Sequence, residues 1–164
     1  MKRISVSALI LLSLAVLVTG CAPPFSKELL DKVDRNIPFS ALQKDPERFV
    51  GKLVMVGGTI IDTRNLKEGS QIEVLQRPLD GEGEPENTDA TGGRFLVVTK
   101  TFIDAAVFHR GRSITIIGEI AGSKRQPLGE VEYLYPVLTA KDMHLWAPYS
   151  GPRFSIGVGV FRGF

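Results

Sequence analysis

The chain has 164 residues, twenty Lys and Arg against eighteen Asp and Glu, a mean hydropathy of +0.08 and one cysteine. That length suits one domain with a sizeable core, and a single cysteine excludes an internal disulfide. A net charge of +2 is too small to build the concentrated basic face on which nucleic-acid binding depends.

In chain order, the first expected element is an export signal over residues 1–20. Met1-Lys2-Arg3 is a cationic start, and Ile4 to Val18 is a run of fifteen uncharged, mostly apolar residues. A helix crossing the hydrocarbon core takes about 20 such residues, so the run is too short to span. Thr19 and Gly20 are small enough for a peptidase cleft, and LVTGC at 17–21 resembles the lipobox of bacterial lipoproteins. The resemblance implies that Cys21 becomes the first residue of the mature chain, carrying S-diacylglycerol and an N-palmitoyl group. The alternative is an ordinary secretory signal followed by an incidental buried cysteine. Three acyl chains, at roughly 0.8 kcal/mol per buried methylene, make a permanent anchor. In enterobacterial-type lipoproteins an aspartate after the cysteine retains the protein in the inner membrane; Ala22 stands there, which favours the outer membrane. Lys2 and Arg3 leave with the signal, so the remaining 144 residues balance at eighteen charges of each sign. A lipidated thiol also removes thiol catalysis.

Residues 21–36 read as the lipidated N-terminus and a short tether stiffened by Pro23-Pro24. One or two helical turns are expected over Lys27 to Val33, with Leu29, Leu30 and Val33 as a packing stripe. Ser40 to Lys44 reads as a short capped helix broken by Asp45-Pro46.

Residues 37–146 form the expected globular unit, and from Gly51 its language is β. Strands are predicted over Lys52 to Ile61, Gln71 to Gln76, Arg94 to Thr99, Arg112 to Ala121 and Glu130 to Leu138, with an edge piece at Met143 to Trp146. Gly57-Gly58 inside the first predicts a bulge or tight bend. Phe102 to Phe108 is expected as a short helix between the third and fourth strands. The fold class that follows is mainly β: a small antiparallel Greek-key barrel, OB-like, with short helical insertions. Five strands are too few for a lipocalin-like barrel of eight.

The segments FVGKLVMVGGTI, IEVLQRPLD, GRF, GRSITIIGEIAG, GEVEYLYPVL and HLW follow the lipobox in this order. Together, over nearly everything from Phe49 to Trp146, they resemble the Slp family of outer-membrane lipoproteins, the starvation-inducible type. The resemblance implies a lipid-anchored envelope protein on the periplasmic side of the outer membrane, and it brings no catalytic residue with it.

Motifs for chemistry are sparse. His109 and His144 fall in different elements without a second ligand at metal-site spacing, and no nucleophile elbow, phosphate loop or dinucleotide fingerprint occurs. No catalytic residue, cofactor or metal is therefore expected. Asp80 to Asp89 holds five acids but fails as a calcium loop, because Pro85 stands where glycine is needed and Thr91 where the bidentate glutamate belongs. A solvated, mobile loop is expected there, the alternative being weak divalent-cation binding near anionic lipopolysaccharide. His109-Arg110-Gly111-Arg112 and Lys124-Arg125 read as solvated basic loops flanking the fourth strand, the alternative being contact with lipid headgroups or anionic glycans. Tyr133, Tyr135 and Trp146 are the candidate binding face, with Tyr149 beside them, and their alternative role is packing of the barrel wall.

Residues 147–164 read as a Pro/Gly/aromatic tail. Phe154 to Phe164 alternates large and small residues with Arg162 as its only charge. One such strand cannot span a membrane, so it is expected to cover a sheet edge or to dock on an envelope protein partner. The expected function is a non-catalytic envelope lipoprotein; the alternative is a binding module for glycan, lipid or peptide.

Overall fold

The computed structural model describes residues 23–148. Its frame is five strands: β1 (Leu53–Leu66), β2 (Gly69–Arg77), β3 (Arg94–Thr99), β4 (Ser113–Leu128) and β5 (Val131–Leu145). Ahead of them lie two short helices, α1 (Lys27–Leu30) and α2 (Phe39–Lys44), and a 3-10 turn at Pro46–Phe49.

Each strand is rich in β-branched residues, and one of its two alternating faces turns inward. Val54, Val56 and Ile60 of β1 meet Ile72 and Val74 of β2, Phe95 and Val97 of β3, Ile114, Ile116 and Ile120 of β4, and Leu138 of β5 in a single core. Burying each such side chain contributes about 1.5–3 kcal/mol. The strands close in the order β1-β2-β3-β5-β4, with β4 returning to β1. Every pairing is antiparallel except β3 with β5, which run parallel from Leu96–Val137 to Val98–Thr139. A five-stranded closed barrel with that crossover is the OB arrangement.

The barrel ends are plugged by different parts of the chain. At the Arg94 end of β3, Leu42 of α2 enters the core and Phe39 lies 5.6 Å from Phe95, ring centre to ring centre. At the Thr99 end, Ile103 and Phe108 pack in, held by Ile103 N–H to Ser70 Oγ (3.0 Å) and Thr63 Oγ1–H to the Phe108 carbonyl (2.7 Å).

The predicted helix at Phe102 to Phe108 does not form. The Asp104 carboxylate takes the amide of Ala106, and its carbonyl takes those of Val107 and Phe108, so one turn closes and stops. The two anchors, Ile103 and Phe108, are five residues apart, whereas one helix face repeats at three or four. A helix would bury only one of them. The predicted edge piece at Met143 is not separate either, since β5 runs unbroken from Val131 to Leu145. Two register shifts in the β4–β5 ladder, at Ile117/Gly118 and Ile120/Gly122, bend this long ribbon into the wall.

Gly57 and Gly58 are not the bulge. Their register is regular against both neighbours, the shift in β1 falling at Ile60/Asp62, and neither has positive φ. What they permit is close approach: a Cβ on Gly58 would stand 1.9 Å from the Leu75 carbonyl oxygen, and one on Gly57 2.7 Å from that of Ile114.

Candidate functional site

The outer wall of β1 and β4 is the starting point. Inward-facing Val54, Val56, Ile114 and Ile116 leave Met55, Gly57, Thr115 and Ile117 outward by alternation. Gly57 makes a shallow place in that wall, and Leu79 lies over it, within 2.8 Å of where a Cβ would be. Leu79 introduces a tight hairpin rather than the expected mobile loop. It bridges to Pro85, Asp80 N–H donates to the Glu84 carbonyl at 2.9 Å, and Asp80 Oδ1 accepts from the amides of Glu82 and Glu84, both at 2.9 Å. Local Asx bonding of this kind orders a loop without a cation.

Thr115 ties the hairpin to the barrel. Its buried hydroxyl donates to the Gly83 carbonyl at 2.6 Å and accepts from Trp146 Nε1 at 2.9 Å. Trp146 is further held by its N–H on the Ser113 carbonyl (3.0 Å) and by Arg112 Nη2 donating to its own carbonyl (2.9 Å). Edge-to-face contacts continue from Trp146 to His144 at 4.7 Å and from His144 to Phe25 at 6.3 Å.

Phe25 belongs to the stretch expected as a tether. From Pro23 that stretch lies on the barrel: Phe25 is 4% exposed, Leu29, Leu30 and Val33 are half-buried, and Asp34 N–H donates to the Leu53 carbonyl at 2.8 Å. Between this segment, the hairpin and the wall is a cavity of about 590 Å³. Its apolar lining comes from Pro23, Pro24, Phe25, Leu30, Met55 and Trp146, and Arg35, Asp80 and Glu82 supply charge of both signs.

The candidate face of Tyr133, Tyr135 and Trp146 is not assembled as one surface. The two tyrosines meet at 4.8 Å, as residues two apart on a strand should. Trp146 lies eleven residues past Tyr135, roughly 36 Å of extended chain, at the other end of β5. Both tyrosine hydroxyls are engaged: Tyr133 accepts from Arg94 N–H at 2.9 Å and Tyr135 donates to Glu73 at 3.2 Å. Glu73 also accepts from Arg94 Nη1 at 2.7 Å, which holds the guanidinium still more firmly protonated. Burial, then the negative charge of Glu73, pushes the Tyr135 hydroxyl above its ordinary pKa. Cys21, Tyr149 and most of the tail lie outside the described residues.

The basic residues do not form one patch. Lys124 and Arg125 sit within β4, paired with Tyr135 and Leu134, far from Arg112 at its start. Arg77, His109, Arg110 and Arg112 instead face Glu84 and Glu86 of the acidic hairpin around a second cavity of about 410 Å³. Opposite charges thus meet across it. Among the described residues, no three His, Cys, Asp or Glu side chains come together as a metal site.

The profile of the outer membrane lipoprotein Slp family matches residues 18–156. Outer membrane protein Slp of Escherichia coli is 27% identical over 138 residues, covering 84% of this chain and 73% of the relative. The uncharacterized lipoprotein YeaY of Escherichia coli is 26% identical over 62% of this chain and 52% of its own. An uncharacterized Haemophilus influenzae protein is 31% identical over 58% and 52%. The chain therefore spans about three quarters of one relative and about half of the other two. Among solved structures, the mitochondrial single-stranded DNA binding protein Rim1 of S. cerevisiae aligns with a TM-score of 0.36 at 12% identity, over 57% of this chain and 92% of that one. A Plasmodium falciparum SSB complex with ssDNA gives 0.33 at 13% identity, over 58% and 94%.

Proposed function

The chain belongs to the outer membrane lipoprotein Slp family, and from that premise we propose that it is a non-catalytic, lipid-anchored protein on the periplasmic side of the outer membrane, with a structural or interaction role in the envelope. The anchor is Cys21, bearing S-diacylglycerol and N-palmitoyl groups. The observation that carries this reading is the lipobox ending only four residues before Phe25, where the packed body begins. At about 3.3 Å per residue, the anchor stands within roughly 13 Å of Phe25, so the barrel rides against the lipid surface. The stress or starvation association implied by the family type belongs to the same proposal. So does an envelope protein partner for the tail.

Cys21→Ser tests the anchor, because a hydroxyl cannot form the thioether. Metabolic labelling with a palmitate analogue should mark the wild type and leave the variant unmarked; equal labelling of both removes the anchor.

A second reading, a ligand-binding module, is favoured by one feature: the cavity between the N-terminal segment and the barrel wall, lined by apolar side chains together with Arg35, Asp80 and Glu82. The ligand then binds beside Trp146 rather than at the tyrosine pair.

A further inference from the structure

We propose that the cavity beside Trp146 binds the headgroup and glycerol region of an ammonium-bearing phospholipid from the leaflet in which the protein is anchored. The inference deepens the ligand-binding reading and takes its ligand source from the anchor at Cys21.

Position comes first. Pro23 and Pro24 form part of the cavity wall, and Cys21 is two residues before Pro23, no more than about 7 Å of chain. A lipid anchored there brings the mouth of the cavity to the headgroup layer, where phospholipid is the most concentrated solute.

The chemistry of the lining fits that solute in three parts. Arg35 is an exposed cation on the lining, suited to a phosphate. Asp80 and Glu82 on the hairpin are anions, and Trp146 on the same lining is an indole whose ring face attracts an ammonium. Phe25, Leu30 and Met55 supply apolar lining for the glycerol and the first methylenes. A purely anionic lipid leaves Asp80 and Glu82 facing like charge. A purely cationic ligand leaves Arg35 in the same position. A zwitterion satisfies both.

The site is also held in shape before any ligand arrives. Trp146 is tied through Thr115 to Gly83, so the aromatic wall and the acidic hairpin are joined by hydrogen bonds.

Trp146 is the only tryptophan in the chain, so its emission reports the cavity alone. The full lipidated chain is reconstituted in phosphatidylglycerol vesicles, and phosphatidylethanolamine is introduced in steps. A parallel series uses diacylglycerol, which dilutes surface charge equally but carries no ammonium. A saturating change in Trp146 emission is expected with phosphatidylethanolamine and not with diacylglycerol. Arg35→Ala and Glu82→Gln, both on exposed side chains, should each shift the midpoint about tenfold upward at unchanged melting temperature. A response equal in the two lipid series, equal in the variants, or absent throughout overturns the proposal. Palmitate labelling of the same preparations reports the anchor independently: a labelled chain with no saturable response removes the lipid site alone. An unlabelled chain that still responds removes the anchor and keeps the site.

Discussion

Trp146 donates its indole N–H to Thr115 across 2.9 Å, and the same threonine hydroxyl donates onward to the Gly83 carbonyl at 2.6 Å. One buried side chain thereby joins the β2–β3 hairpin to the end of β5. Thr115→Val keeps the shape and leaves both partners unpaired, at about 1–3 kcal/mol for each. Thr115→Ser retains the hydroxyl. The valine variant should lose markedly more in urea midpoint than the serine variant and should shift Trp146 emission; equal midpoints would remove the tie.

Gly58→Ala should be severely damaging to the barrel. The added Cβ meets backbone rather than a flexible side chain, 1.9 Å from the Leu75 carbonyl oxygen, so strands β1 and β2 must separate. Overpacking of this kind costs about 3 kcal/mol or more. Gly81→Ala, with nothing within 4 Å and ordinary φ, should stay within about 0.5 kcal/mol of wild type. Thermal unfolding of the two variants side by side checks the contrast.

Alkaline stability should depend on Tyr135. Its folded pKa is raised above the ordinary value of 10.0, first by burial and then by the charge of Glu73. The unfolded hydroxyl loses its proton first as pH rises, so the contribution is fully present below pH 10.0 and is lost as pH climbs through the folded value. Tyr135→Phe should have a lower midpoint at neutral pH, having lost the bond to Glu73, and a flatter decline above pH 10. Parallel declines in wild type and variant would show that other groups carry the alkaline loss.

Deleting residues from Gly151 onward separates a self-capping tail from a docking one. Around the belt of the barrel each strand has a neighbour on either side, which leaves no belt edge for a cap. An unchanged melting temperature with loss of a crosslinked envelope protein in intact cells is the expected result. A drop in melting temperature with self-association would favour the cap.

The five strands and their order along the chain were legible in the sequence because strand alternation and β-branched composition are local. Arg94–Thr99 was legible to the residue. The lipobox resemblance is equally local, resting on five consecutive residues, all of which lie outside the described structure. Sequence alone also held the family, in the order of its segments.

What only the tertiary structure decided depends on contacts between remote segments. Whether Phe102 to Phe108 becomes a helix turned on two anchors entering one barrel end, and local propensity contains no barrel. Gly57-Gly58 looked like a bulge because a glycine pair has no local mark that distinguishes conformational freedom from close approach by a neighbouring strand. The acidic loop is a hairpin because Thr115, 32 residues further along the chain, holds Gly83. Trp146 parts from the two tyrosines because β5 runs on as a single strand, and it joins Phe25 and Met55 because the N-terminal segment folds back on the outer wall. No periodicity pairs residue 25 with residue 146; only closure of the barrel brings them to one cavity.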